Sequence, residues 1–553
     1  MRTHQLPFVL TGLTLVLTTL TACDAREGDQ AAADWIEKER IREHIRILAS
    51  DEFQGRAPAT AGGERTVEYL SREFQGMELA PGNEGTYTQT VPLLETTLDP
   101  TTDLILHHGG ERWELSYGEE VMLWSGRQEE TVRLEGSELV FVGFGTVAPE
   151  YDWDDYADVD VRGKTVVMLV NDPGVFTEDP DLFNGRAMTY YGRWTYKFEE
   201  AARQGAAGAI LIHEDDAAGY GWDVVAGSWS GPQMSLAGED GDQALDMEAW
   251  ISRDVADRLL ETVDSSLEDM TEQALAADFR PQTLPLSAEA TMENRFRESE
   301  SDNVIAYLPG RERPDETILF MAHWDHLGTD PDDDSIIFNG AVDNASGTAA
   351  VLEIARAFSK LEQAPRRSVA FLLVTAEEQG LLGSAHYARE PIFEPHLTVA
   401  GINLDSMNDF GPTRDITIVG YGSSELEEWL AELAEQENRE LRPEPHPERG
   451  YFFRSDHFSL AKVGVPVLYP NPGIDHVEHG ESYGQAQLDD YQQNRYHRPA
   501  DEFDPEADYR GLLADARLMF QLALALAESD TFPNWYEDSE FRQIRDEDRQ
   551  AGH

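Results

Sequence analysis

The sequence predicts an α/β protein: a three-layer sandwich around a mostly parallel mixed sheet, with an inserted β-rich domain. From residue 302 onward, short apolar runs of strand length alternate with amphipathic helical segments, the pattern of a parallel sheet covered on both faces. Residues 138–290 interrupt the chain with short strand-like runs set between glycine turns. The length of 553 residues, with 41% hydrophobic and 10% aromatic content, suffices for more than one core and rules out a disordered chain.

The elements follow in order. Residues 1–23 carry Arg2, an apolar run over 6–20 and the ending Leu20-Thr21-Ala22-Cys23, which reads as a signal peptide too short to span a membrane comfortably. That ending resembles a bacterial lipobox, which implies a diacylated Cys23 and an exported protein held to the cell envelope by lipid alone. Residues 24–33 form a polar tether. Residues 34–135 read as the first part of the core: Ile36, Ile41, Ile45 and Leu48, then Val67, Leu70 and Phe74, recur at helical spacing, and short alternating runs follow from 86. In the insert, 138–145 is a strand into a glycine turn, and 166–170 and 209–212 are buried strands around a helix ending at Gly205. The main core, 302–528, has strands at 317–322, 368–375, 399–404, 416–419 and 465–469. Its helices fall at about 346–361, 379–389, 424–438 and 507–528. Residues 530–553 are a charged tail expected to lie on the surface or fray.

Lys plus Arg number 43 against 106 Asp plus Glu, a formal charge of −63. Phosphate neutralisation needs clustered Lys and Arg, so nucleic-acid binding through a basic surface is excluded, as is adhesion to anionic lipid through a basic patch. The acid excess is spread along the chain, as on the surfaces of proteins from salt-adapted organisms, and reads as a solvated face. A single cysteine excludes an intramolecular disulfide.

Five short motifs sit after expected strands or in loops of the main core: 322–326 (Ala-His-Trp-Asp-His), 341–347 (Ala-Val-Asp-Asn-Ala-Ser-Gly), 376–380 (Ala-Glu-Glu-Gln-Gly), 403–406 (Asn-Leu-Asp-Ser) and 496–499 (Tyr-His-Arg-Pro). Ligands of open α/β sheets bind outside the carboxyl ends of strands, so these motifs should converge there. Imidazole and carboxylate together suit zinc, and two histidines with three carboxylates suit two ions sharing one carboxylate. Glutamate pairs also occur by chance in so acidic a chain, as at 119–120, 129–130 and 199–200. Glu377-Glu378 differs by following an apolar run and preceding Gln379-Gly380.

These motifs, in this order, resemble the co-catalytic dizinc aminopeptidases of peptidase clan MH, the bacterial leucyl aminopeptidase type. The 138–290 segment is similar to the protease-associated domain of some members. The resemblance implies a zinc exopeptidase core acting on peptide substrates with two zinc ions per chain. His323 and Asp405 would hold one ion, Glu378 and His497 the other, and Asp343 would bridge them. Glu377 would be the general base and Asp325 the carboxylate that orients His323. The peptide Asp343-Asn344 would be cis. The segment Tyr-His-Arg-Pro-Ala-Asp at 496–501 is similar to the family's Tyr-His-x-Pro-x-Asp, and Ser455-Asp456-His457 to its Ser-Asp-His, where His457 would support the carbonyl. Departures are few. Val342 stands where many relatives carry Asp, and no run of arginines suits gripping a substrate carboxylate, which disfavours carboxypeptidase action. A glutaminyl cyclase-like transferase and a non-catalytic receptor-like binding protein share the scaffold and remain alternatives.

Overall fold

The computed structural model describes residues 32–99, 102–238, 244–276, 278–331 and 333–552. The expected signal peptide, Cys23 and nearly all of the tether lie outside the described residues. Among them, no helix is long and apolar enough to cross a membrane.

At the centre of the core, strand Arg313–His323 lies between Arg367–Val374 and Thr398–Asn403, parallel to both, and Val467–Leu468 extends the parallel set. Apolar residues run almost continuously along these strands and point alternately to the two faces, because both faces are buried. Ile318, Phe320 and Ala322 join Phe371 and Leu373 on one face, under helices that contribute Ile41, Ile45, Ile354, Phe358, Leu518 and Leu522. Leu319 and Met321 join Leu372 and Val374 on the other, against Tyr387 and Leu460. The three layers follow from this alternation. Four of the five expected core strands are in this sheet. Residues 416–419 instead contribute to strand Asp415–Ile418 of a separate three-stranded sheet with Glu440–Pro443 and Pro470–Pro472. The expected helices appear as Gly347–Ser359, Leu382–Arg389, Leu426–Gln436 and Arg510–Glu528.

The insert has its own cores and a second sheet. Strands Thr165–Leu169, Gly208–Ile212 and Met247–Ile251 run parallel, flanked by Thr131–Phe141 and Val121–Trp124. Strands Leu104–His108, Glu111–Leu115 and Val121–Trp124, expected with the core, belong here by pairing. The boundary expected near 290–302 is a single strand, Gln282–Leu308. Its first half pairs with Thr131–Phe141 and its second with Thr88–Leu98 and Arg367–Val374, so one backbone ribbon ties insert to core.

The charged tail is anchored rather than frayed. Trp535 is fully buried and its indole donates to the Gly464 carbonyl at 3.0 Å, while the Arg545 guanidinium donates to the Pro395 and Thr398 carbonyls at 2.7 Å each. Its charge pattern masked these two apolar-and-arginine anchors.

The N-terminal segment meets the core through Arg56. This fully buried side chain donates to the carbonyls of Leu48, Trp324, Asn339 and Gly340 at 2.6–2.9 Å. Burial lowers its pKa to about 10, against the pull of Asp325, Asp501 and Asp343, so it stays charged at neutral pH. It therefore fastens two loops that approach the ends of the central strands. Arg56→Met strands four buried carbonyls and removes a buried positive charge. A loss of about 3–5 kcal/mol in denaturant unfolding is expected. Arg56→Lys should not restore it, because one ammonium cannot reproduce the planar guanidinium fork.

Candidate metal centre

The candidate site is assembled by strand register. His323 is the last residue of Arg313–His323, and its partner across the ladder is Val374, the last of Arg367–Val374. Thr375 and Ala376 lead from there to Glu377 and Glu378. Met321 is opposite Asn403, which ends the third strand two residues before Asp405. Three neighbouring parallel strands therefore deliver His323, Glu377-Glu378 and Asp405 at one edge. Asp343 comes from the turn before helix Gly347–Ser359, and His497 from the loop after Tyr491–Arg495.

Asp343 is at the middle. Its Oδ1 is 3.2 Å from His323 Nε2, and its Oδ2 is 3.3 Å from His497 Nε2. His323 Nε2 is also 3.4 Å from Asp405 Oδ1, and His497 Nε2 is 3.1 Å from Glu378 Oε2. The two carboxylate oxygens of Asp343 thus face two separate imidazole–carboxylate pairs. His323, Asp343 and Asp405 are buried, whereas the His497 side chain is 37% exposed. The Asp343-Asn344 peptide is cis. Gly340 closes the turn at φ 53°, and a Cβ there would lie 2.2 Å from the Asp343 carbonyl and 2.6 Å from the His326 ring. The left-handed region is also occupied by Ala376, Ser406 and His497, each a proposed ligand or its near neighbour. Such conformations cost about 1–3 kcal/mol apiece, which the surrounding structure must offset.

Electrostatics tests whether these residues suit cations. No Lys or Arg side chain hydrogen-bonds to Asp343, Glu377, Glu378 or Asp405 among the described residues, so imidazoles are the cationic partners of Asp343, Glu378 and Asp405 at contact distance. Burial opposes a charge on His323, yet Glu377, Asp405 and Asp343 raise its pKa well above the usual range. Burial likewise opposes His497, and Asp343 and Glu378 raise it to about 10. The adjacent glutamates are pushed apart. Burial raises Glu377, helped by Glu378, whereas for Glu378 the burial cost and Asp343 are outweighed by His326 and His497, which lower it to about 2. A pocket that pulls protons this strongly onto histidine is one that divalent cations would neutralise. The mixed nitrogen and carboxylate donors fit zinc.

Asp325 has a different contact from the one expected. His323 Nδ1 pairs with the Asp325 backbone carbonyl at 3.1 Å, and the Asp325 carboxylate, 3.8 Å from that ring nitrogen, accepts instead from the backbone N–H of Glu377 at 3.1 Å and of Glu378 at 3.4 Å. It positions the glutamate turn. His457 is buried between Phe452 and Tyr469 and lines neither cavity, so it packs among aromatic rings where carbonyl support was expected.

Three contributors went unassigned. His326, the last residue of the 322–326 motif, is buried with Nδ1 2.7 Å from Glu378 Oε1. Asp501 accepts the backbone N–H groups of Val342 and Asp343 at 3.0 and 3.1 Å, and so holds the Asp343 turn. The signal for it was present, since it closes the segment 496–501. Ser455 donates to Asp405 Oδ2 at 2.7 Å.

Two cavities meet at Glu377, Arg454, Tyr496 and His497. One, about 380 Å³, also carries Asp343, Asp405, Tyr451 and Tyr469. The other, about 510 Å³, carries Glu378 and Phe453, with Arg193 and Trp194 from the insert.

If cations neutralise this cluster, zinc added to metal-stripped protein should raise its melting temperature, by an amount equivalent to about 2.7 kcal/mol at a hundredfold excess over the dissociation constant. Asp343→Ala should abolish most of that shift in differential scanning fluorimetry.

Residues 303–523 match the sequence profile of Peptidase family M28. Over 106 residues the chain is 38% identical to a "Probable zinc metalloprotease" of Pyrenophora teres f. teres (strain 0-1), covering 19% of this chain and 22% of that protein. Over 142 residues it is 34% identical to Aminopeptidase NAALADL1 of Mus musculus, covering 24% of this chain and 18% of that one. The matches thus span about a fifth of these curated relatives. Among solved structures, an aminopeptidase from Aneurinibacillus sp. strain AM-1 has the same fold, with a TM-score of 0.50 at 20% identity, over 91% of this chain and 97% of that one. All five clustered side chains fall inside the segment that matches Peptidase family M28.

Proposed function

We propose that this chain is an exported zinc aminopeptidase that releases N-terminal residues from peptides, working with two ions per chain. The observation that carries the reading is Asp343, whose two oxygens address two separate imidazole–carboxylate pairs. His323 and Asp405 would hold one ion, Glu378 and His497 the other, and Asp343 both. Zinc held there polarises a scissile carbonyl and makes water acidic enough to ionise near neutral pH.

The chain's own groups do the rest. Glu377 forms no ion pair with an imidazole among the described residues, although it is adjacent in sequence to Glu378, which does. Its carboxylate takes a proton from the attacking water and returns it to the departing nitrogen. Burial raises its pKa, which makes its carboxylate a stronger base toward the attacking water. Asp325 holds the Glu377 and Glu378 backbone, fixing which carboxylate faces the ligand cluster and which stays free. The insert supplies one wall of the second cavity and restricts access to short or extended chains.

Export and lipid attachment at Cys23 rest on the N-terminal sequence alone. In a bacterial host, Cys23→Ser should move the protein from the membrane fraction to the soluble fraction. Unchanged membrane retention would remove the anchor from the account.

Glu377→Gln should lower kcat on leucine p-nitroanilide by about 10²- to 10⁴-fold while zinc content by plasma emission stays at the wild-type level. Undiminished turnover would refute its role as base, and lost zinc would refute its position off the ions.

A further inference from the structure

The sequence shows no run of arginines, but folding makes a pair. Arg193, from the insert, and Arg454, from the core, line the cavity that contains Glu377, Glu378 and His497. In a chain with 106 acidic and 43 basic residues, most guanidiniums have a carboxylate partner. Within the same cavity, Lys462 is held by Glu199 at 2.8 Å. Neither Arg193 nor Arg454 has an ion pair among the described residues. The Nε of Arg193 is buried without an acceptor, and Arg454 rests over the Tyr451 ring at 5.4 Å. The two are near enough to affect one another: burial first, then the charge of Arg454, lowers the pKa of Arg193 to about 10. Two guanidiniums without a carboxylate partner, Arg193 half-buried and Arg454 exposed at the cavity rim, present donors that an anion between them can accept from. Helix Trp194–Arg203 adds to this attraction, because Trp194 and Thr195 of its first turn line the same cavity and bring the positive end of its dipole.

Arg454 also borders the first cavity, whose lining is otherwise acidic near the cluster. Asp405, Asp409, Glu444 and Asp489 line it, with Arg442 engaged by Glu440 and Glu481 at 2.7 and 2.8 Å, and Arg449 exposed, whereas Arg193 lines the second cavity alone. A zwitterionic dipeptide across the junction at Glu377 would therefore point its ammonium group into the acidic cavity and its carboxylate toward the arginines. We propose that Arg193 and Arg454 together bind the free α-carboxylate of the leaving residue, making dipeptides and other very short peptides the preferred substrates. This rests on the aminopeptidase reading for the direction of the chain, but the carboxylate contact itself can be measured without turnover.

The test is isothermal titration calorimetry on zinc-loaded Glu377→Gln protein with three ligands: Leu-Ala, its C-terminal amide, and Leu-Asp amide. Leu-Ala should bind about 10- to 100-fold more tightly than its amide, the range for hydrogen bonds to a charged group. That ratio should fall toward one when either Arg193→Met or Arg454→Gln is added, with near-ultraviolet circular dichroism unchanged. The two variants lie in different parts of the fold, so a folding defect in one leaves the other informative. If Leu-Asp amide matches Leu-Ala, the pair serves any carboxylate on the leaving side rather than the terminus alone, and the α-carboxylate assignment is overturned. Equal binding of acid and amide, or a ratio that survives both substitutions, overturns the clamp. Failure of wild-type protein to hydrolyse Leu-Ala, with the binding ratio intact, would instead count against the aminopeptidase reading.

Discussion

The structure is organised around one electrostatic constraint: Asp325, Asp343, Glu377, Glu378 and Asp405 are carboxylates gathered at a single buried edge of the central sheet. Two carboxylates 4 Å apart repel by about 4 kcal/mol at an effective dielectric of 20, so a cluster of this kind persists only if positive charge enters it. The protein supplies part of that charge through His323 and His497, and Arg56 stands behind the loops. The strong pull of protons onto both imidazoles shows how much more the cluster accepts. The chain's charge of −63 does not change this, since exposed charges are screened within about 8–10 Å in physiological salt while the buried cluster is not.

The fold creates the cluster through connectivity. Parallel strands end at the same edge, so each strand-to-loop transition adds a side chain to one place. Buried hydrogen bonds then set directions: Asp501 on the Asp343 turn, Asp325 on the glutamate turn, Ser455 on Asp405 and His326 on Glu378. Each fixes a group that would otherwise sample several rotamers, which is how the free and the engaged glutamate are distinguished. The long strand Gln282–Leu308 has a comparable role between the two halves. It makes the insert continuous with the core sheet and so holds Arg193 within reach of a cavity built mainly by the core.

Much of this was legible in the residues. The apolar runs at 317–322, 368–375 and 399–404 are strands because Val, Ile, Leu and Phe on both faces demand burial on both faces, and the motifs that follow them are where strand ends must be. The order of His323, Asp343, Glu377-Glu378, Asp405 and His497 in the sequence therefore carried most of the site. What could not be read was contact between distant segments. His326 is indistinguishable from a surface histidine until Glu378 is brought 2.7 Å away. Arg193 and Arg454 are 261 residues apart in the chain and meet only because the insert folds over the core. The tail at 530–553 looked solvated because its charges outnumber its anchors, yet Trp535 and Arg545 are fully buried. The expected break near residue 290 failed for a related reason: alternation runs through it from Leu284 to Phe296, and the polar stretch that follows is still paired strand.

The chemistry proposed for Glu377 depends on Asp343 being shared by two cations. Anomalous diffraction at the zinc edge, from crystals grown with excess zinc, tests it directly. Two peaks are expected, one between His323 and Asp405 and one between Glu378 and His497, with the Asp343 carboxylate in contact with both. A single peak, or peaks whose ligands exclude Asp343, would contradict it.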